Sequence, residues 1–347
     1  MAESAATRGD ARREASRDGW SAGVAGQAFF LVGGAGFIGS HFVDALLDQP
    51  DVRRVTIFDN FSSGRRWHYE HRLDDARFHV AEGDVKDGDR LRECMDGHDV
   101  VVHLASNPDI ARAVTEPDID FYEGTFLTQQ VVEAMRVTSA KRILYASGSG
   151  VYGDLGELEV HEDHGPLLPT STYGASKVAG ETLITSYCFM FDLTGRAFRF
   201  GNVVGPRQTH GVGFDFVRRL LEDPSRLRIL GDGAQSKSYI HVEDVVSAVL
   251  TAHASEKAPF QAYNVATGDY ITVKEIADLA FECLGLDPTE ASYEFTGGDR
   301  GWKGDVPIVR LNTDRIQALG WSCARGSRQA LLESMSAMVP DAQAGRL

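Results

Sequence analysis

The chain has 347 residues, 43% hydrophobic and 24% charged, a globular balance that excludes a disordered polypeptide and accommodates one large or two modest domains. Asp and Glu outnumber Lys and Arg by 50 to 35, a formal net charge of -15, which argues against nucleic acid or an anionic membrane as partner, since both are met by basic patches. No run of apolar residues is long enough to span a membrane, and Cys94, Cys188, Cys283 and Cys323 lack the spacing of a zinc site or a disulfide framework, so they read as free thiols of a cytoplasmic protein without a metal.

Residues 1–26, rich in Ala, Arg, Gly and Ser with acidic side chains, read as a disordered tail. From Gln27 the texture changes to an apolar strand, Ala28–Val32, a glycine-rich segment, Gly33–Gly39, and a helical pattern through Leu47. Further strands are expected at Arg54–Phe58, ending on Asp59, in a run ending near Val80, at Val100–Leu104 and at Arg142–Ala146, with helices over 86–95 and 118–136 between them. Strand–helix alternation at this spacing predicts an α/β fold, a Rossmann-type doubly wound parallel sheet. A long helix follows from Tyr173 to about Phe191. Beyond residue 200 the alternation loosens into helices at Phe214–Leu221, Val242–His253 and Val273–Cys283, with turns at Gly231–Gly233 and Gly297-Gly298. The expected division is a nucleotide-binding domain over 27–200 and a smaller α/β lobe over 201–347, partly interleaved, the lobe closing over the carboxyl ends of the strands.

Gly33, Gly36 and Gly39, with Phe37 and Ile38 opening the helix, allow a tight turn, close backbone approach to a pyrophosphate and close helix–strand packing, and the helix N-terminus supplies amide donors. Asp59 ends the next strand, 26 residues after Gly33, where a carboxylate accepts from both ribose hydroxyls and repels a 2′-phosphate. The cofactor read from this pattern is NAD rather than NADP. Asp84, in Gly83-Asp84-Val85, has two readings from sequence, an acceptor for the adenine amino group or a cap on the next helix. Tyr173 and Lys177 stand four apart on one helix face. An ammonium beside a phenol favours phenolate, a general base for a sugar hydroxyl that loses hydride from the same carbon.

With these motifs stand His103-Leu104-Ala105, Val151-Tyr152-Gly153, Asn202 through Gly205-Pro206-Arg207, Gly231-Asp232-Gly233, Tyr239 through Asp244, and Gly304 through Pro307. Together they resemble the extended short-chain dehydrogenase/reductases, in their NAD-dependent nucleotide-sugar epimerase/dehydratase branch, over nearly all of residues 27–320. The resemblance implies tightly held NAD, a UDP-sugar or other NDP-sugar substrate, and a homodimer built through a four-helix bundle. It extends the cofactor cradle to Asn60, Gly64, Val85, Leu104, Ala105, Ser106 and Ser147, beside Tyr173 and Lys177. It places the substrate against Asn107, Gly148, Ser149, Asn202, Arg207, Lys237 and Arg300.

Two departures bear on the reaction. Gly148 stands where the family carries Ser or Thr to bond the sugar 4-hydroxyl; Ser149 is the expected catalytic substitute, unless Ser147 and Ser149 only satisfy backbone groups. Ser149-Gly150 also stands where 4,6-dehydratases carry an Asp-Glu pair and decarboxylases a Glu. Without that second acid or base, the expected reaction is 4-epimerisation through a transient 4-keto sugar of the UDP-glucose/UDP-galactose or UDP-glucuronate type. Decarboxylation, 4,6-dehydration and 4-keto reduction are the alternatives on the same scaffold. Lys237 replaces a customary Arg and offers the diphosphate a point charge instead of a bidentate fork.

Overall fold

The computed structural model describes residues 19–255 and 257–346. Seven strands form one parallel sheet: β1 (Ala28–Val32), β2 (Arg54–Asp59), β3 (Phe78–Glu82), β4 (Val100–His103), β5 (Arg142–Gly148), β6 (Thr194–Phe200) and β7 (Phe260–Val265). Their order is β7-β6-β5-β4-β1-β2-β3, with Leu31 of β1 in register with Ile57 on one side and Val102 on the other. Every residue of β1 is buried, as expected for a parallel strand covered on both faces. Its side chains alternate between two cores: Phe29 and Leu31 join Phe42, Leu46, Ile57 and Val249, while Phe30 and Val32 join Phe58, Leu91, Val101 and Val131.

Helices α1 (Phe37–Leu47), α2 (Gly88–Met95), α3 (Leu127–Val137) and α4 (Thr172–Phe191) connect the strands of the first half. The strand order reverses at β1, so the crevice between the ends of β1 and β4 is the expected ligand position. The second half carries α5 (Val212–Glu222), α6 (Val242–Ser255), α7 (Val273–Leu284) and α8 (Ser327–Gln343). Here α5, α7 and α8 enclose a separate core of Val217, Leu227, Ile276, Phe281, Leu331 and Met335.

Three features differ from the sequence reading. Residues 19–24 are helical, and Trp20 and Val24 are buried in the first core, so residues 19–26 are not tail; residues 1–18 lie outside the described residues. Strands β6 and β7 were not expected, because Arg196 and Arg199 interrupt the apolar run of β6, and both prove buried. Strand β7 comes from the second half, so the lobe's sequence completes the central sheet. The helix expected over 118–136 is divided into a π-helical turn, Phe121–Phe126, and α3.

Candidate active site

The glycine-rich loop leads directly from β1 into α1. Gly33 has φ +79, and a Cβ there would stand 2.7 Å from the Ala105 amide nitrogen, so only glycine allows the loop to lie against the end of β4. At Gly39 a Cβ would meet the Gly34 carbonyl at 2.6 Å, which keeps the first turn of α1 pressed onto the loop. The Asp59 carboxylate is buried at the end of β2 and accepts from the Ala35 amide at 2.9 Å and the Phe61 amide at 2.9 Å. Burial raises its proton affinity, and the two amides oppose the shift. Gly64 packs on the loop, since a Cβ there would touch Ala35 Cβ at 2.7 Å.

The two readings of Asp84 separate here. Asp87, not Asp84, caps α2 by accepting from the Arg90 amide. Asp84 instead accepts from Asn60 Nδ2 at 3.2 Å and from the Lys86 amide, which puts Asn60 and Asp84 side by side at the ends of β2 and β3. The Val85 side chain is buried in the second core, leaving only its backbone to a ligand. Phe37 is buried on α1 and Ile38 packs against the first core. The Leu104 and Ala105 amides donate to the Val32 carbonyl at 2.9 and 3.0 Å, closing the crevice between β1 and β4.

Ser171 caps α4 by accepting from the Gly174 amide at 3.1 Å, which fixes the turn that presents Tyr173. Lys177 is 3% exposed. Its Nζ donates to the Ala146 carbonyl at 2.9 Å and lies 5.2 Å from the ring centres of both Tyr145 and Tyr173. Burial lowers Lys177 to about 8, against the opposing charges of Asp120 and Glu181. Burial likewise raises Tyr173 to about 12; the Ser106 hydroxyl lowers it and the Asp120 charge raises it further. Burial thus disfavours the phenolate in the protein alone, opposing the acidification expected from an adjacent ammonium.

Most of the other expected site residues are bonded to protein groups. The Ser147 hydroxyl donates to Glu181 Oε1 at 2.6 Å, inside a buried ion pair between Glu181 and Arg199. Ser149 lines a narrow crevice with Tyr152, Gly153, Leu158, Val160 and Arg310 that does not include Tyr173. The hydroxyl beside the phenol belongs to Ser106, whose buried Oγ has no full hydrogen-bond partner. Asn107 is buried and donates to Asp120 Oδ1 at 2.9 Å. Arg207 donates to Asp44 at 2.6 Å and to the His68 carbonyl at 2.8 Å, in a cleft with His41, Arg72 and Glu243 behind α1. That position separates it from the other expected anchors. Lys237 and Arg300 do converge: Lys237 Nζ pairs with Asp305 Oδ1 at 2.6 Å, and Arg300 donates to the Asp305 carbonyl at 2.7 Å and to Asp154 at 2.6 Å. Asn202 Nδ2 donates to the Ser238 carbonyl at 3.2 Å.

Two residues bearing on the pair were missed from sequence. Glu181 was within reach of the motif, since Tyr173, Lys177 and Glu181 follow one another at i, i+4 and i+8 on one helix face. Asp120 had no local signal, being one of several acids at the start of a stretch expected to be helical.

A side chain at Gly148 meets nothing: its φ of -157 suits any residue, and an added Cβ has no neighbour within 4 Å. Gly148→Ser should therefore leave the melting temperature unchanged. If the added hydroxyl bonds the substrate, kcat rises about tenfold, the effect of one hydrogen bond strengthened in the transition state. Unchanged turnover would show that the substrate needs no partner at this position.

The family model for the NAD dependent epimerase/dehydratase family matches residues 29–266. The chain belongs to this family. It is 32% identical over 298 residues to a UDP-glucose 4-epimerase of Mycolicibacterium smegmatis, covering 84% of this chain and 92% of that protein. A solved UDP-galactose 4-epimerase superposes with a TM-score of 0.80 at 34% identity, covering 90% and 99% of the two chains. A dTDP-glucose 4,6-dehydratase from Streptomyces venezuelae, solved with NAD bound, superposes with a TM-score of 0.83 at 26% identity, covering 91% and 98%. As a member of this epimerase/dehydratase family, the chain is an NAD-dependent, sugar-modifying enzyme of the extended short-chain dehydrogenase/reductases. The loop of Gly33 and Gly39, against which a Cβ would collide, and the buried Asp59 carboxylate fit that cofactor.

Proposed function

We propose that the protein is a cytoplasmic NAD-dependent NDP-sugar 4-epimerase, working through a transient 4-keto sugar on a UDP-sugar. The observation that carries this reading is that, among the described residues, no carboxylate beside the Tyr173–Lys177 pair is free to act as a second acid or base. The segment before Val151 has no carboxylate. The two carboxylates whose charge reaches the pair are both engaged, Asp120 with Asn107 and Thr172 and Glu181 with Ser147 and Arg199. Dehydration needs such a free group, and the decarboxylases this chain resembles carry one before the Val-Tyr-Gly motif; moving a proton on and off the 4-hydroxyl needs none.

Bound NAD supplies the hydride acceptor and donor at C4 and, when oxidised, a positive ring charge. Tyr173 takes the proton of the 4-hydroxyl and returns it after the keto sugar has turned. Lys177, anchored on the Ala146 carbonyl, holds its positive charge over the phenol ring and favours the phenolate. Asp59 receives the adenosine ribose, with Asn60 and Asp84 beside it. Lys237 and Arg300 serve the sugar's diphosphate, and Lys237 must leave Asp305 to do so. The exposed apolar side chains Phe121, Tyr122, Val137, Phe189 and Met190 on and beside α3 and α4 support the homodimer implied by a four-helix bundle.

The test is incubation with UDP-glucose, UDP-N-acetylglucosamine and UDP-glucuronate, with products identified by NMR and mass spectrometry. A C4 isomer of at least one sugar is expected. If none forms, or if a 6-deoxy-4-keto sugar or carbon dioxide accumulates instead, the reading is wrong.

A further inference from the structure

Asp120 stands at the entrance of the π-helical turn Phe121–Phe126, where a carboxylate ordinarily caps backbone amides. It makes no capping hydrogen bond. It is 1% exposed, and both oxygens are turned to other elements: Oδ1 accepts from Asn107 Nδ2 at 2.9 Å, and Oδ2 accepts from Thr172 Oγ1 at 2.7 Å. Those donors are the chain neighbours of the two residues that meet at the phenol. Asn107 follows Ser106 beyond β4, and Thr172 precedes Tyr173 at the start of α4. Gly124 allows this approach, because a Cβ there would stand 2.6 Å from Ser176 Oγ on α4.

We propose that Asp120 is a positioning residue for the general base: its buried carboxylate clips the loop after β4 to the first turn of α4, so that Ser106 and Tyr173 face each other, and it holds a fixed negative charge beside the Tyr173–Lys177 pair. That charge opposes proton loss from both members of the pair. The other titratable groups facing the pair are His103 on β4, Tyr145 on β5 and Glu181 on α4. His103 is lowered by burial to about 3 and stays neutral in the working range, Tyr145 is raised by burial and stays protonated, and Glu181 is held by Arg199. Neither His103 nor Tyr145 titrates where the pair does.

The role rests on the epimerase reading only for its turnover measurement. Asp120→Asn preserves shape, and the Thr172 hydroxyl can reverse to accept from the new amide. Removing the negative charge makes proton loss easier at each site. Both limbs of the kcat/KM profile should therefore move to lower pH by about 1 unit, whichever group each limb belongs to. Ultraviolet difference titration of the NAD-bound protein, with Tyr173→Phe subtracted, should show the phenolate appearing at correspondingly lower pH. That titration needs no sugar. A shifted phenolate in a protein that epimerises nothing would leave Asp120's role standing and defeat the epimerase reading, whereas active Asp120→Asn with an unmoved profile and titration would overturn the role. Thr172→Val provides the second arm, because it cuts one tie and keeps the charge. It should lower kcat about tenfold with the profile in place, and an unchanged kcat would remove the clip.

Discussion

Replacing Tyr173 with Phe should lower kcat about a thousandfold while NAD remains bound and KM changes little. The loss falls within the range for a positioned general acid–base group and corresponds to about 4 kcal/mol of transition-state stabilisation. The phenol is held by burial at about 12, so deprotonation depends on positive charge brought to the ring, from Lys177 and from oxidised cofactor. Phenylalanine keeps the ring and its packing against Lys177 but has no proton to exchange. The hydroxyl's contact is the neutral Ser106 hydroxyl, a bond worth about 1 kcal/mol, so the melting temperature should move by no more than about 2 °C. Steady-state kinetics, cofactor content and a thermal melt on the same preparation check the three parts. A loss of less than tenfold would take the role of base away from Tyr173.

The cofactor half of the site was legible because its chemistry is local. Gly33–Gly39 carries strand end, turn and helix start in seven consecutive residues, and Asp59 needs only the end of the next strand. Tyr173 and Lys177 were legible because helical spacing sets them on one face. What the sequence did not show was any partner distant in the chain. Arg207 is taken by Asp44 behind α1, Ser147 by Glu181 on the neighbouring helix, and Lys237 by Asp305. None of these countercharges or acceptors can be seen until the fold brings them up. Ser106 and Asp120 were obscured for the converse reason. A lone serine after a strand and an acid at the start of a helical stretch acquire meaning only when Asn107 and Thr172 bring them to the phenol. Strand β6 was hidden by Arg196 and Arg199, whose charges look like surface until Glu181 is found opposite Arg199.

Breaking that Arg199–Glu181 pair from one side should destabilise the fold far more than any change at Tyr173 or Gly148. Arg199 Nη2 and Nε donate to Glu181 at 2.7 and 3.0 Å. Arg199 Nη1 donates to Tyr152 Oη at 2.8 Å and to the Glu162 carbonyl at 2.9 Å. Tyr152 in turn donates to Asn264 Oδ1 at 2.7 Å, and Asn264 Nδ2 donates to the carbonyls of Val160 and Asn312 at 2.9 Å each. One buried network thus fastens α4 to β6, β7 and the segment that follows β5. Glu181→Leu leaves a guanidinium in the interior without its anion, which costs about 3–5 kcal/mol, a large part of an ordinary domain's stability. The double variant Glu181→Leu/Arg199→Met removes both charges and should recover most of that loss, because desolvation of an ion pair consumes much of its attraction. Denaturant unfolding of both variants measures the difference. A loss below about 1 kcal/mol for Glu181→Leu, or no recovery in the double variant, would show that the unpaired charge is not what destabilises the fold.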